Sequence, residues 1–368
     1  MLWIKTLFCL LLSFFLNFNL TAQEIDNIRL PEGFEIKVFA KNITDPRSII
    51  VNKDGVVFVS SPSSGKVFAL IDADNDGLAD KQYPIASNLK LPHGLAFFND
   101  ALYVAEIDRI TRFETSNKQW TGKLKKSQII TGLPKDRHHG YKVIGVGPDR
   151  KIYLGIGVPC NVCILNRDKF GVIKRLNLDG SGLETYAYGI RNTVGFDWHP
   201  VTGELWFNDH GRDWLGDDLP SDELNHAPVA KLDFGFPYCH QGDIPDPELA
   251  DKRSCREFVP PKFKHGAHVA PNGLHFYTGR SFPDIYRNSI FIAQHGSWNR
   301  SIKSGYKITV IKSKADGELF SEVFAEGWEK NGTVKGRPVD IAVNNTGDLL
   351  ITDDYAGMVY IIRYTRDL

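Results

Sequence analysis

An all-β fold, a six-bladed β-propeller, is what this sequence predicts, and three observations predict it. A unit of strand, polar turn and strand recurs about six times; the units begin roughly 40–50 residues apart; and the strands alternate apolar and polar side chains. Alternation at period two places one strand face in a core and does not fit a helical stripe. Composition agrees: 33 Gly and 19 Pro in 368 residues, with 23 Phe, 13 Tyr and 7 Trp, favour strands and turns.

Taken from the N-terminus, residues 1–22 carry Lys5, an apolar run from Leu7 to Leu20, and a small-residue exit at Thr21 and Ala22. The run is shorter than the ~20 residues a spanning helix needs, so it reads as a secretory signal peptide cleaved near Ala22. Cys9 has no small residues before it, which argues against a lipid anchor. The mature chain, 23–368, is expected to form one propeller domain, without a membrane span, in a periplasmic or secreted setting.

An alternating strand at Phe34–Phe39 precedes the first unit, SIIVNKDGVVFVS at 48–60. GLAFFNDALYVAE (94–106), VIGVGPDRKIYLGIG (143–157) and GFDWHPVTGELWFND (195–209) follow, then paired strands within 273–294 and DIAVNNTGDLLITDD (340–354). A last strand at Met358–Tyr364 is expected to join the first in one four-stranded antiparallel blade, which removes the open sheet edges. The irregular stretch at about 210–272, rich in Gly, Pro, Asp and His, reads as a turn-rich insertion where binding groups would gather.

After export four cysteines remain, Cys160, Cys163, Cys239 and Cys255. Three pairings are open to them, and the local one, Cys160–Cys163 with Cys239–Cys255, is expected. Haem attachment at Cys160-Asn-Val-Cys163 is excluded because Ile164 stands where that motif needs His. Lys+Arg and Asp+Glu both number 44, and a chain without cationic excess is a poor nucleic-acid binder.

Four loop motifs sit at strand edges: Asp136-Arg-His-His139-Gly, Tyr188-Gly-Ile-Arg191-Asn192, His295-Gly-Ser-Trp298-Asn-Arg300 and Lys335-Gly-Arg337-Pro. Gathered at one mouth, the cations would suit an anion with several carboxylates, a Trp would cover a flat ring, and a His would serve as base near neutral pH.

Together HHG…GPD (138–149), YGIRN (188–192), HGRD…GDDLPSDELN (210–225), AQHGSWNRS (293–301) and GRPVDIAV (336–343) resemble the soluble quinoprotein sugar dehydrogenases. These enzymes use pyrroloquinoline quinone (PQQ), and the likeness includes their sorbosone- and pyranose-dehydrogenase-like branch. It implies His139 as the base that takes the anomeric hydroxyl proton. His138 competes for that role, and adjacent residues of a strand would face opposite ways. It further implies Arg191 and Asn192 at the quinone oxygens, Lys335 and Arg337 at the cofactor carboxylates, and His295, Trp298 and Arg300 as branch-specific cofactor contacts. His93 falls where the family brings a polar residue near the substrate. The carbonyls of Gly211 and Arg212 match a calcium site, with Asp217, Asp218 and Asp222 to supply charge. The glucose-specific substrate loops are not recognisable, so the resemblance leaves the sugar open.

A second metal candidate, Asp72, Asp74, Asp76 and Asp80 with Gly77, follows a calcium-loop spacing but has Tyr83 where a bidentate Glu would close it; the competing reading is a solvated turn. The whole reads as a calcium- and PQQ-dependent oxidoreductase passing electrons from a small sugar to an external acceptor. The alternatives are a calcium-dependent propeller lactonase, which would need several side-chain carboxylates or Asn at a central metal, and a non-enzymatic carbohydrate- or protein-binding propeller.

Overall fold

The repeating unit folds as it does because its polar turn closes on itself. In the first unit the Asn52 side chain accepts the N–H groups of Asp54 and Val56 at 3.0 and 2.9 Å, and Gly55 supplies the positive φ of 82°. The last unit repeats the device, Asn344 accepting from Thr346 and Asp348 at 3.1 and 2.8 Å. Such turns return the chain antiparallel, so each unit becomes the inner half of one sheet.

The computed structural model describes residue 25 and residues 27–115, 120–121 and 124–365. The expected leader, 1–22, lies outside the described residues. Six antiparallel sheets form a six-bladed β-propeller. The innermost strands are Ile49–Val51, Leu95–Phe98, Ile144–Val146, Phe196–Trp198, Pro271–Phe276 and Pro338–Val343. Closure is as expected: Phe34–Lys41 is the outermost strand of the last blade, paired antiparallel with Met358–Tyr364 from Phe34↔Tyr364 to Lys41↔Met358. Its Phe34 ring meets Phe282 and Phe324 at 4.7 and 5.1 Å, anchoring the strand to the neighbouring blade, and Tyr364 of its own sheet at 5.0 Å.

Three expectations need correction. Second strands such as Val57–Ser61, Ala101–Ala105 and Leu349–Asp353 are buried at every residue, not half-buried, because each sheet is sandwiched between two blades. The third blade also gains a short parallel fifth strand, Leu232–Asp233. The stretch 210–272 is not wholly an insertion either. It contains two strands of the fourth blade, Ser221–Ala227 and Phe263–Ala267, and the irregular excursion lies between them. Both disulfides form as expected, Cys160–Cys163 and Cys239–Cys255.

Candidate functional site

At one end of the propeller the chain enters the inner strands, and the loops that precede them enclose a cavity of about 360 Å³. Arg47, His139, Tyr141, Arg191, Asn192 and Arg337 all stand just before an inner strand and line it. The mouth is therefore a product of register: every blade but the second delivers its entry loop to the same place.

Arg191 and Asn192 are set by a buried acid. Asp209 accepts the Arg191 and Asn192 N–H groups at 2.8 and 2.6 Å, which turns both side chains into the cavity wall. The Arg191 guanidinium reaches Asp213 Oδ2 at 2.8 Å, and Asn161 O and Oδ1 at 3.0 and 2.9 Å. Asn192 Nδ2 meets His210 Nδ1 at 3.2 Å, while His210 Nε2 lies 3.2 Å from Pro271 O. Since the carbonyl needs a donor, Nε2 carries the proton and Nδ1 accepts from Asn192. That leaves Asn192 Oδ1 buried and without a partner, open to a donor.

His139 does not lie on a strand. It occupies a turn with φ of 47°, so the expected strand alternation cannot separate it from His138. Burial does: His138 is exposed, whereas His139 is half-buried and lines the cavity. His139 Nδ1 is 2.7 Å from Val158 O and must donate to it, so Nε2 keeps its lone pair. Burial first, then the Arg191 and His138 charges, push its pKa down to about 2, well below the expected near-neutral value. The imidazole is neutral near pH 7, which leaves Nε2 open to accept a proton, while burial makes it a weaker base than a free histidine.

Across the cavity His295 Nε2 lies 2.9 Å from Asp354 Oδ1, and Arg47 Nη1 bonds the other oxygen of the same carboxylate. Burial lowers the His295 pKa to about 4 despite that partner. Burial opposes ionisation of Asp354, but His295 and Arg47 hold its carboxyl below the ordinary range. Arg337 donates to His295 O at 3.1 Å and Gly296 O at 2.7 Å and sits over the Tyr306 ring. Asp353 Oδ1 accepts the Arg337 main-chain N–H at 2.9 Å, but no carboxylate pairs with the guanidinium among the described residues, so that charge faces the cavity uncompensated. Gly336 is obligatory beside it: a Cβ there would stand 2.2 Å from Asp353 Oδ2.

Trp298 rims the mouth, 66% exposed and edge-on to Trp214 at 5.3 Å. Gly211 lines the cavity; its N–H and that of Ala270 both bond Asp222 at 2.8 Å. The carbonyls of Gly211 and Arg212 accept no hydrogen bond among the described residues. The Arg212 side chain points elsewhere, to the buried Asp246 and to Glu248 at 3.3 Å.

Several expected residues stand apart. Lys335 is exposed and outside the cavity, because its N–H and that of Gly336 converge on Trp328 O and bend the segment, breaking the expected same-face pairing with Arg337. Arg300 turns to Asp218 at 3.0 Å and to Ala267 O. His93 is buried behind Tyr141, ring on ring at 4.6 Å. Asp217 is spent on Ser301, so neither it nor Asp218 faces the cavity. Asp72, Asp74 and Asp80 bring one oxygen each within 4.8 Å of one another, while the Asp76 carboxylate instead takes the Leu78 N–H at 2.7 Å. Sequence reasoning missed Arg47, Tyr141, His210, Asp213 and Asn161. A carboxylate at Asp354 with no local cation was the one available sign of Arg47.

The chain matches the family described as Glucose / Sorbosone dehydrogenase over residues 103–299, and that described as TrAA12-like over residues 243–365. An uncharacterized protein of Borreliella burgdorferi is 36% identical over 387 residues, covering 99% of each chain. The calcium structure of Trichoderma reesei Carbohydrate-Active Enzymes Family AA12 superposes with a TM-score of 0.81 at 18% identity, over 92% of this chain and 97% of that one. The holo form of the pyranose dehydrogenase PQQ domain from Coprinopsis cinerea gives 0.77 at 18% identity, over 91% and 97%. At such identities the two structures bear on the fold alone.

Proposed function

The chain belongs to the Glucose / Sorbosone dehydrogenase family, and from that premise we propose that it is a PQQ-dependent oxidoreductase acting on a sugar. The observation that carries the reading is one cavity holding an unprotonated His139 Nε2, the Arg191–Asn192 pair and the uncompensated Arg337. Bound PQQ would supply the acceptor for the two electrons and the hydrogen leaving the sugar carbon. His139 takes the hydroxyl proton at Nε2, its orientation fixed by the bond from Nδ1 to Val158 O. Arg191 stabilises negative charge developing on an oxygen beside it, in a site where burial strengthens the interaction, while Asn192 offers its free Oδ1 to a donor. Arg337 draws a carboxylate to the other wall, where Arg47 is already paired with Asp354, and Trp298 lies at the rim to cover a flat ring.

Calcium fits beside them: the carbonyls of Gly211 and Arg212 are hard oxygen donors with free lone pairs, and the Asp222 carboxylate stands behind Gly211. The lactonase alternative loses support, because Asp209, Asp222 and Asp354 at the mouth are taken up by backbone N–H groups, arginine and histidine. The leader expected at 1–22 and the two disulfides support a site outside the cytoplasm, with an external electron acceptor. The test is reconstitution: purified protein with PQQ and calcium should give a stoichiometric visible spectrum that sugars bleach. A spectrum identical to free PQQ at equimolar protein would sink the reading.

A further inference from the structure

The ring closed by Cys160–Cys163 has only two residues between its cysteines, and one of them reaches the centre of the site. Asn161 accepts from Arg191 through both its main-chain oxygen, at 3.0 Å, and its Oδ1, at 2.9 Å. The same Oδ1 accepts the Asp213 N–H at 2.8 Å, and Nδ2 returns a bond to Asp213 O at 3.1 Å. One residue thus grips the guanidinium and, on both backbone groups, the residue after the Gly211–Arg212 carbonyl pair. Three residues earlier, Val158 gives its N–H to Arg191 O at 3.0 Å and its carbonyl to His139.

A ring with a sequence separation of 3 restricts the unfolded chain less than Cys239–Cys255 does at a separation of 16, so loop-closure entropy is a weak reason for the bond. Its structural effect is to hold the backbone of Asn161 in one orientation while four hydrogen bonds depend on it. We propose that Asn161, carried on the Cys160–Cys163 ring, is a positioning residue that locks Arg191 and the 211–213 segment together, making cofactor affinity depend on that disulfide. The cofactor half rests on the PQQ reading above; the lock itself does not.

The experiment takes the mature chain as wild type, Asn161→Ala, Asn161→Asp and Cys160→Ser/Cys163→Ser, the last leaving Cys239–Cys255 intact. In cofactor-free protein, amide exchange at 190–193 and 211–214 should quicken roughly tenfold or more in Asn161→Ala and in the double Ser variant, with the blade strands unchanged. Should the double variant fail to fold, Asn161→Ala decides. In PQQ titrations with calcium, the Kd of both variants should rise roughly tenfold or more. Asn161→Asp keeps both side-chain acceptor bonds but sets a carboxylate oxygen against Asp213 O where Nδ2 donated, so exchange should stay near wild type at 190–193 and quicken at 211–214. Wild-type exchange at both segments in Asn161→Ala would overturn the proposal. Quickened exchange without a change in Kd would overturn its cofactor half. If wild type itself binds no PQQ, the functional reading fails, and the exchange result still decides the lock.

Discussion

The two arginines that face each other across the mouth are held in opposite ways. Arg191 has a side chain 4% exposed, paired with Asp213 and gripped twice by Asn161. Arg337 is half-buried and donates to two main-chain carbonyls. At Arg191 the charge is balanced before any ligand arrives, so what the fold contributes there is orientation. At Arg337 the charge is left open, so what it contributes is attraction. On the proposed function, the wall with His139 and Arg191 would serve the chemistry, and the wall with Arg47, His295 and Arg337 the anchoring.

The largest effect should come from the chemical wall alone. His139→Gln is expected to bind PQQ as wild type does while turnover falls by roughly 10²–10⁴, the range for losing a positioned base. Steady-state rates beside a PQQ titration check this; a loss of binding as large as the loss of rate would erase the division between the walls. Next come the arginines themselves. Arg191→Ala and Arg337→Ala should each weaken PQQ binding by about 2–5 kcal/mol. Only Arg191→Ala should also destabilise the apo-protein, by about 3 kcal/mol, because it strands Asp213 beside a broken pair. Chemical denaturation of both variants decides whether that asymmetry exists.

Titration sharpens the same contrast at smaller scale. The folded pKa of His139 lies below the unfolded value of about 6.5, so the unfolded chain binds a proton that the folded chain refuses. This contribution to stability is complete above about pH 6.5 and is lost as pH falls below it, at up to about 1.4 kcal/mol per pH unit. His295 acts in the same sense. Buried carboxyls with raised pKa values, Asp222 and Asp353 at about 6, act in the opposite sense, losing stability as pH rises through that value. The net slope is therefore mixed, and the difference between variants is the clean quantity. His139→Gln should show a shallower loss of stability between pH 6.5 and 4.5 than wild type. Equal slopes in urea melts would mean that His139 is not buried neutral.

What could be read in the sequence was whatever is local. Asn52 with Gly55 and Asn344 with its partners announce each turn within a few residues, so the blades and their order were legible. The near disulfides and the loops carrying Arg191, His295 and Arg337 were legible for the same reason. The Arg47–Asp354 pair was not, since its members are 307 positions apart and meet only because the last blade closes on the first. Asn161 was hidden in a motif that drew notice for its cysteines. His93 was misplaced because nothing near it in sequence says that the Tyr141 ring will lie over it.

Lys335 offers the smallest expected effect and the finest test of the anchoring wall. By its sequence position it should share the work of Arg337, two residues on. The fold instead bends 335–336 around Trp328 O and leaves the ammonium in solvent, where screening reduces any long-range pull on a ligand. Lys335→Ala should therefore change PQQ affinity by less than about 0.5 kcal/mol, the usual scale for an exposed site. That small residue should appear only at low salt, as a field effect does, whereas the loss in Arg337→Ala should persist at ~0.5 M salt. A Lys335→Ala loss that matches Arg337→Ala and survives salt would place the ammonium at the ligand, and the anchoring wall would then hold two open cations rather than one.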